Sequence, residues 1–238
     1  MILNQASDKI VYSLLDKINY AIIALPHSLH AYFLRPGDPT TPAIFEVDRI
    51  RDGKSFTTRR IKVIQNGKAI FNMDCSFQVG EEGLSHQMDG PNFSAPDETK
   101  MAPGLKTRPF LSFREDHKKL LVEKPQEPVQ NVWIKANGTA PDDPRIHMAL
   151  LAYQSDEALL GTARMPHRGQ YDRERMQVAS LDHSIWFHSV VNVNDWLLYS
   201  LDSPAAEGAR GYTRGSVYGE GGQLVASCMQ EGLIRLHS

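Results

Sequence analysis

Apolar positions change period early in the chain. Over residues 8–25 they recur at Ile10/Val11, Leu14/Leu15, Ile18, Ala21/Ile22 and Leu25, the spacing of one helix face. Ser7 or Asp8 can cap this helix and Pro26 ends it. Thereafter strand-like patterns rich in β-branched and aromatic residues predict strands over 27–34, 43–51, 55–65 and 69–79. Arg35-Pro-Gly-Asp38 closes the first, and Asp52-Gly53 and Asn66-Gly67 are hairpin signals between the others.

The pattern then lapses. Over 81–129 Pro, Gly, Glu and Lys dominate, with Phe93, Phe110, Leu111 and Phe113 scattered among them. Roughly fifty residues is long for a loop, so this stretch is expected to cross a surface as a linker and dock at a few apolar points. Regularity returns with a short strand over 132–135. Pro141-Asp-Asp-Pro144 then opens a helix, with Asp143 as N-cap and Pro144 in the first turn. That helix is expected to run to about Asp156 on a stripe of Ile146, Ala149, Leu150 and Tyr153. Strands follow over 177–188, 196–201, 210–218 and 224–236. His27-Ser-Leu-His-Ala-Tyr-Phe33 resembles His183-Ser-Ile-Trp-Phe-His188, and the last strand of each half carries a similarly placed glutamine, Gln78 and Gln230. A helix followed by an antiparallel meander, given twice, predicts two α+β units side by side.

Composition adds mostly exclusions. At 238 residues, 41 % hydrophobic and 23 % charged, the chain can build a sizeable core without disulfide or metal staples. A formal net charge of −2 gives no electrostatic case for nucleic acid or an anionic membrane. No apolar run approaches the roughly 20 residues of a membrane span. Cys75 and Cys228, each in its own apolar strand, read as buried free thiols of a reducing, cytoplasmic compartment. No Cys pair is spaced for zinc, no glycine loop is built for phosphate, and no Gly-x-Ser-x-Gly elbow occurs, so neither cofactor nor metal is expected.

Three polar residues interrupt otherwise apolar patterns. Asp156 shares a helix face with Ala149, Ala152 and Tyr153, where an unpaired carboxylate is costly to bury. Gln230 alternates with Cys228, Ala226, Gly232 and Ile234, and a buried amide must spend its donors and acceptor on partners. Ser180 is a small hydroxyl opening the strand that continues Asp182-His-Ser184. His183 and His188 fall on opposite strand faces, which disfavours a shared metal and suits core or interface roles. A carboxylate, a hydroxyl and an amide together suit general-base activation of water without a covalent nucleophile.

At these residues the chain resembles the acyl-CoA thioesterase II family, which is built as a double hot-dog. The similarity is carried by His27-Ser-x-His-x-Tyr-Phe-Leu-Arg-Pro-Gly-Asp38, Arg51-Asp-Gly-x-Ser-Phe56 and Pro141-Asp-Asp143. It continues through Leu150-Leu-Ala-Tyr-x-Ser-Asp156, Ser180-Leu-Asp-His-Ser-x-Trp-Phe-His188 and Gln230-Glu-Gly232. Six motifs in order are a specific signal. The resemblance implies an acyl-CoA hydrolase, a homo-oligomer, and a catalytic trio falling on Asp156, Ser180 and Gln230, with Asp182 in a supporting role. It implies a first repeat over 1–80, a linker over 81–129 and a second repeat over 130–238 carrying the trio. Residues 1–25 lack the Gly-Gly-Gln segment with which such proteins open, so the leading strand of the first repeat is expected to be missing. From that departure comes the rival expectation of a non-catalytic acyl-CoA-binding or scaffold protein.

Period-2 counting leaves one conflict. It groups Ser180 with Asp182, Ser184 and Trp186, whereas Gln230 lies on an apolar face. For Ser180 and Gln230 to meet, either a bulge re-aims one strand or the more polar face packs beneath the helix.

Overall fold

The computed structural model describes residues 24–92, 94–96, 110–113 and 123–237. Among them are eleven strands and one α-helix: β1 (Ala24–Phe33), β2 (Ile44–Asp52), β3 (Phe56–Gln65), β4 (Lys68–Val79), β5 (Phe110–Phe113) and β6 (Val129–Ala136); then α1 (Pro144–Ala163), β7 (Met176–Ser180), β8 (Asp182–Phe187), β9 (Leu197–Glu207), β10 (Arg210–Gly219) and β11 (Leu224–Leu236). The helix expected over 8–25 and the question of a leading strand fall outside the described residues, except that Ala24 and Leu25 are strand, not helix.

All strands join one antiparallel sheet in the order β2-β3-β4-β1-β8-β11-β10-β9-β6-β5, with β7 also on β11. The two similar segments noted in the sequence are neighbours: β1 pairs with β8 from Ser28↔Trp186 to Tyr32↔Asp182. The order is mirrored about that seam, β4 flanking β1 as β11 flanks β8. The strands of both halves thus join a single sheet.

Hairpin chemistry explains the meanders. Asn66 and Gly67 both have positive φ, 49° and 71°, as the two-residue turn between β3 and β4 demands. The β9–β10 turn repeats this with Gly208 and Ala209, at 57° and 61°. Pro26, expected to end a helix, lies within β1, and the strand expected over 196–201 continues as β9 through Pro204; each proline coincides with a register shift.

The capped start of α1 is as expected: Asp143 is extended and accepts from the Arg145 N–H, and Pro144 stands in the first turn. The helix does not stop near Asp156 but runs on to Ala163, since Ala158, Leu159, Thr162 and Ala163 continue its buried face. That face is Met148, Leu151, Ser155, Ala158, Leu159 and Thr162, not the Ile146–Tyr153 stripe. Counting apolar residues alone missed it because Ser155 and Thr162 are polar yet fully buried.

α1 lies across β9, β10 and β11. Its Leu151 and Leu159 pack with Ile185, Leu201, Val217 and Val225, and each such buried side chain contributes about 1.5–3 kcal/mol. Two glycines opposite each other on β10 and β11, Gly211 and Gly232, set how closely the helix approaches. A Cβ on Gly211 would lie 2.5 Å from Ala163 Cβ, and one on Gly232 would lie 2.5 Å from Leu160. On the opposite face Trp133, Trp196, Leu198 and Tyr218 cluster. The stretch after β4 reaches this face. Gln87 there donates to Gly222 O and accepts from Leu224 N–H, and Gly90 backs onto the Tyr218 ring. No helix among the described residues is long and apolar enough to cross a membrane.

Gly211→Ala should therefore lower stability by roughly 1–3 kcal/mol by lifting the end of α1 off the sheet. Urea denaturation should show a lower midpoint with an unchanged m value; an unshifted midpoint would mean the helix is not held this close.

Candidate active site

The site is built where α1 crosses β7 and β11. Asp156 is half-buried on the helix flank with Ala149, Ala152 and Tyr153, and Gln230, only 1 % exposed, points up from β11. Ser180 closes β7. Ser180 Oγ donates to Asp156 Oδ1 at 3.0 Å, and Gln230 Nε2 donates to the same oxygen. Both bonds converge on Oδ1 and, among the described residues, leave Oδ2 open. A carboxylate can only accept, so the Gln230 amide must turn its nitrogen toward Asp156. Its Oε1 is consequently a buried acceptor with no partner among the described residues. The backbone beneath is secured by Thr213 Oγ1, which donates to Gln230 O at 3.1 Å.

The facing conflict is resolved by a bulge. β7 pairs with β11 as Ser180↔Gly232, whereas β8 pairs as Ser184↔Met229, so the two ladders differ by one residue. Before the slip the even-numbered Ser180 faces the helix; after it the odd-numbered His183, Ile185 and Phe187 are the buried set. The single strand expected over 177–188 is for this reason two strands.

Three further side chains serve the site. Ser155, beside Asp156, gives its hydroxyl proton to Ala152 O at 2.9 Å. Its oxygen also lies 2.8 Å from His183 Nε2, and with the hydroxyl proton on Ala152 O the imidazole donates from Nε2, while Nδ1 is buried without a partner among the described residues. Tyr199 OH donates to the Ser155 carbonyl at 2.9 Å. Burial pushes this phenol well above its ordinary range, so it remains a donor. Ser155 is thus tied from below through both its side chain and its carbonyl, which fixes the azimuth of Asp156. Tyr199 carried no sequence signal of its own. Gly215 is the indirect one, since a Cβ there would stand 2.3 Å from the Tyr199 ring. His183 was placed in the core by its sequence; it is buried, and directly beneath the helix. His188 is exposed and meets Ser227 Oγ at 2.9 Å. Among the described residues no group of three or more His, Cys, Asp and Glu is placed to hold a metal.

Comparison with known proteins decides the family. Residues 112–233 match the acyl-CoA thioesterase family model, and residues 12–78 match the acyl-CoA thioesterase N-terminal domain. The chain is 37 % identical to acyl-CoA thioesterase 2 of Haemophilus influenzae over 226 residues, 88 % of this chain and 79 % of the relative. The chain belongs to the acyl-CoA thioesterase family. Among solved structures, an acyl-CoA thioesterase II from Mycobacterium marinum superposes with a TM-score of 0.83 at 41 % identity, covering 98 % of this chain and 90 % of that one. A hot-dog-fold protein of unknown function from Alicyclobacillus acidocaldarius shares the fold at 14 % identity, with a TM-score of 0.73 and coverage of 98 % and 87 %. This acyl-CoA thioesterase is therefore a hot-dog protein, mostly antiparallel sheet with one described helix.

Burial holds the His183 imidazole below its ordinary 6.5, with Asp156 and Asp182 pulling the other way more weakly. Below about pH 6.5 the unfolded chain takes up a proton at this residue that the folded chain resists, so the folded state loses stability as pH falls through that range. His27, half-buried, is displaced in the same direction, by burial first and then by His30. Comparing melting temperatures of wild type and His183→Gln between about pH 7 and pH 5 isolates the contribution. The acid decline should be shallower in the variant, and parallel profiles would refute the assignment.

Proposed function

We propose that this acyl-CoA thioesterase hydrolyses acyl-CoA to a fatty acid and free CoA with Asp156 as general base, Ser180 and Gln230 orienting Asp156 and the attacking water. The observation that carries this is the convergence of both donors on one oxygen of Asp156. With Oδ1 saturated, Oδ2 is the atom free to accept a proton from water, and Gln230 Oε1 is a second, unpartnered acceptor for the water's other hydrogen. The water, polarised from two sides, attacks the thioester carbon as its proton passes to Asp156. The tetrahedral intermediate collapses by expelling the CoA thiolate, and Asp156 returns the proton to sulfur. No covalent acyl-enzyme is needed, in keeping with a hydroxyl that donates to a carboxylate and has no histidine base at hand.

The architecture proposed for this chemistry is a double hot-dog. The repeats are 1–80 and 130–238, joined by the linker 81–129, and the mirrored strand order about β1 and β8 supports the division. A homo-oligomer is part of the proposal: among the described residues β2 pairs only with β3 and exposes Ile44 and Ile50. A cytoplasmic setting is supported by the two buried, unpaired thiols.

Asp156→Asn should lower kcat for acyl-CoA by roughly 10²–10⁴-fold, with the circular dichroism of the folded protein retained. Gln230→Ala and Ser180→Ala should each fall by less, because one donor to Oδ1 remains. Release of free thiol from a panel of acyl-CoAs is the measurement. Full turnover in Asp156→Asn, or binding of acyl-CoA by the wild type without thiol release, would overturn the proposal.

A further inference from the structure

We infer that Asp182 is a positioning residue, whose carboxylate holds the register slip that brings Ser180 and Gln230 to the same oxygen of Asp156. The inference rests on the reading of those three residues as the reaction centre. It starts from the backbone at the slip. Leu181 and Asp182 together oppose the single residue Glu231, since Ser180 faces Gly232 and Ser184 faces Met229.

In a regular antiparallel ladder a residue turns its N–H and C=O to the same neighbour. Leu181 does not. Its N–H donates to Glu231 O on β11 at 3.0 Å, while its carbonyl accepts from the Phe33 N–H of β1 at 2.9 Å. The Glu231 N–H therefore loses the carbonyl that a regular ladder would have given it. Asp182 Oδ1 takes that N–H at 2.6 Å, a short bond to an ionised acceptor.

The consequence reaches the reaction centre from both sides. Glu231 is the immediate neighbour of Gln230, and Asp182 stands two residues from Ser180. A ladder continued without the slip from Ser180↔Gly232 would set Asp182 beside Gln230 beneath the helix and turn His183 to the opposite face. With the slip, His183 occupies the buried place and bonds Ser155, while the Asp182 carboxylate closes the gap left in β11. Asp182 touches no reacting atom; it acts through the facing of Ser180 and Gln230.

Steady-state kinetics on the full chain test this. Asp182→Ala should lower kcat by roughly 10–100-fold with KM for acyl-CoA within about twofold, as misplacement of Asp156's partners predicts. Asp182→Asn should keep kcat within roughly threefold, because its amide oxygen can still accept the Glu231 N–H. In a Gln230→Ala background the further loss from Asp182→Ala should shrink to less than about threefold, since the two changes act on one unit. Should the alanine variant fail to fold, Asp182→Leu, branched at the same carbon and without an acceptor, takes its place. Wild-type kcat in Asp182→Ala or Asp182→Leu, an asparagine variant as impaired as either, or full additivity with Gln230→Ala would each overturn the role. Asp156→Asn keeps the two levels apart. If it is inactive while Asp182→Ala is normal, only the positioning role fails; if it is fully active, the assignment of the reaction centre itself fails.

Discussion

A carboxylate set between a helix and an apolar sheet persists only if donors are brought to it, and nearly every irregular feature of the second half of this chain follows from that requirement. Asp156 receives its donors from two strands, β7 and β11, that are themselves paired. Neighbouring strands place side chains on a common face only in the right register, so with His183, Ile185 and Phe187 buried, Ser180 can join Gln230 on the helix side only if the ladder is corrected between Ser180 and His183. The correction is one residue long. It divides what would be a single strand into β7 and β8 and changes the parity of the buried set from Ser180 to His183.

The helix has to be as tightly fixed as the strands, because a carboxylate on a rotating cylinder would sweep past its donors. Two devices hold it. Gly211 and Gly232 let the end of α1 approach with Ala163 and Leu160 directly over bare backbone, and Ser155 is gripped through His183 and Tyr199 one residue before Asp156. The Tyr199 ring in turn depends on Gly215, whose missing Cβ leaves the space it fills. Glycines in mid-strand, which weaken a sheet in isolation, serve here as clearance for larger groups.

Much of this was legible in the sequence, and the remainder was hidden for identifiable reasons. Asn66-Gly67 and the Asp143-Pro144 cap announced themselves because their backbone angles are prescribed by residue type. Asp156, Ser180 and Gln230 stood out as polar residues in apolar settings, and the structure brings all three together. Pro26 was read as the end of a helix and the strand from 196 was stopped at 201, since a bulge that spares a proline its ladder bond has no local signature. The buried face of α1 was misplaced because Ser155 and Thr162 count as polar by composition yet are spent on internal hydrogen bonds. The slip at Leu181 could be posed as one of two ways to reconcile parity but not chosen, because the choice depends on β11, far away in the chain. Tyr199 was invisible for a similar reason: nothing local distinguishes a core tyrosine from one that holds a helix carbonyl.

The seam between β1 and β8 sets two comparable glutamines in one mirrored sheet. Both halves carry a glutamine in the strand flanking the seam, but their settings differ. Gln78 is half-buried and pairs with Leu25, just before the register shift between Pro26 and Ser28, whereas Gln230 is sealed under α1 and donates to Asp156. A slip beside the amide is therefore common to both halves and does not by itself make a site. At Gln230 the structure adds burial under α1, a hydroxyl re-aimed toward the same place and a carboxylate between them, so that the amide's donor is assigned in advance and its acceptor is left over.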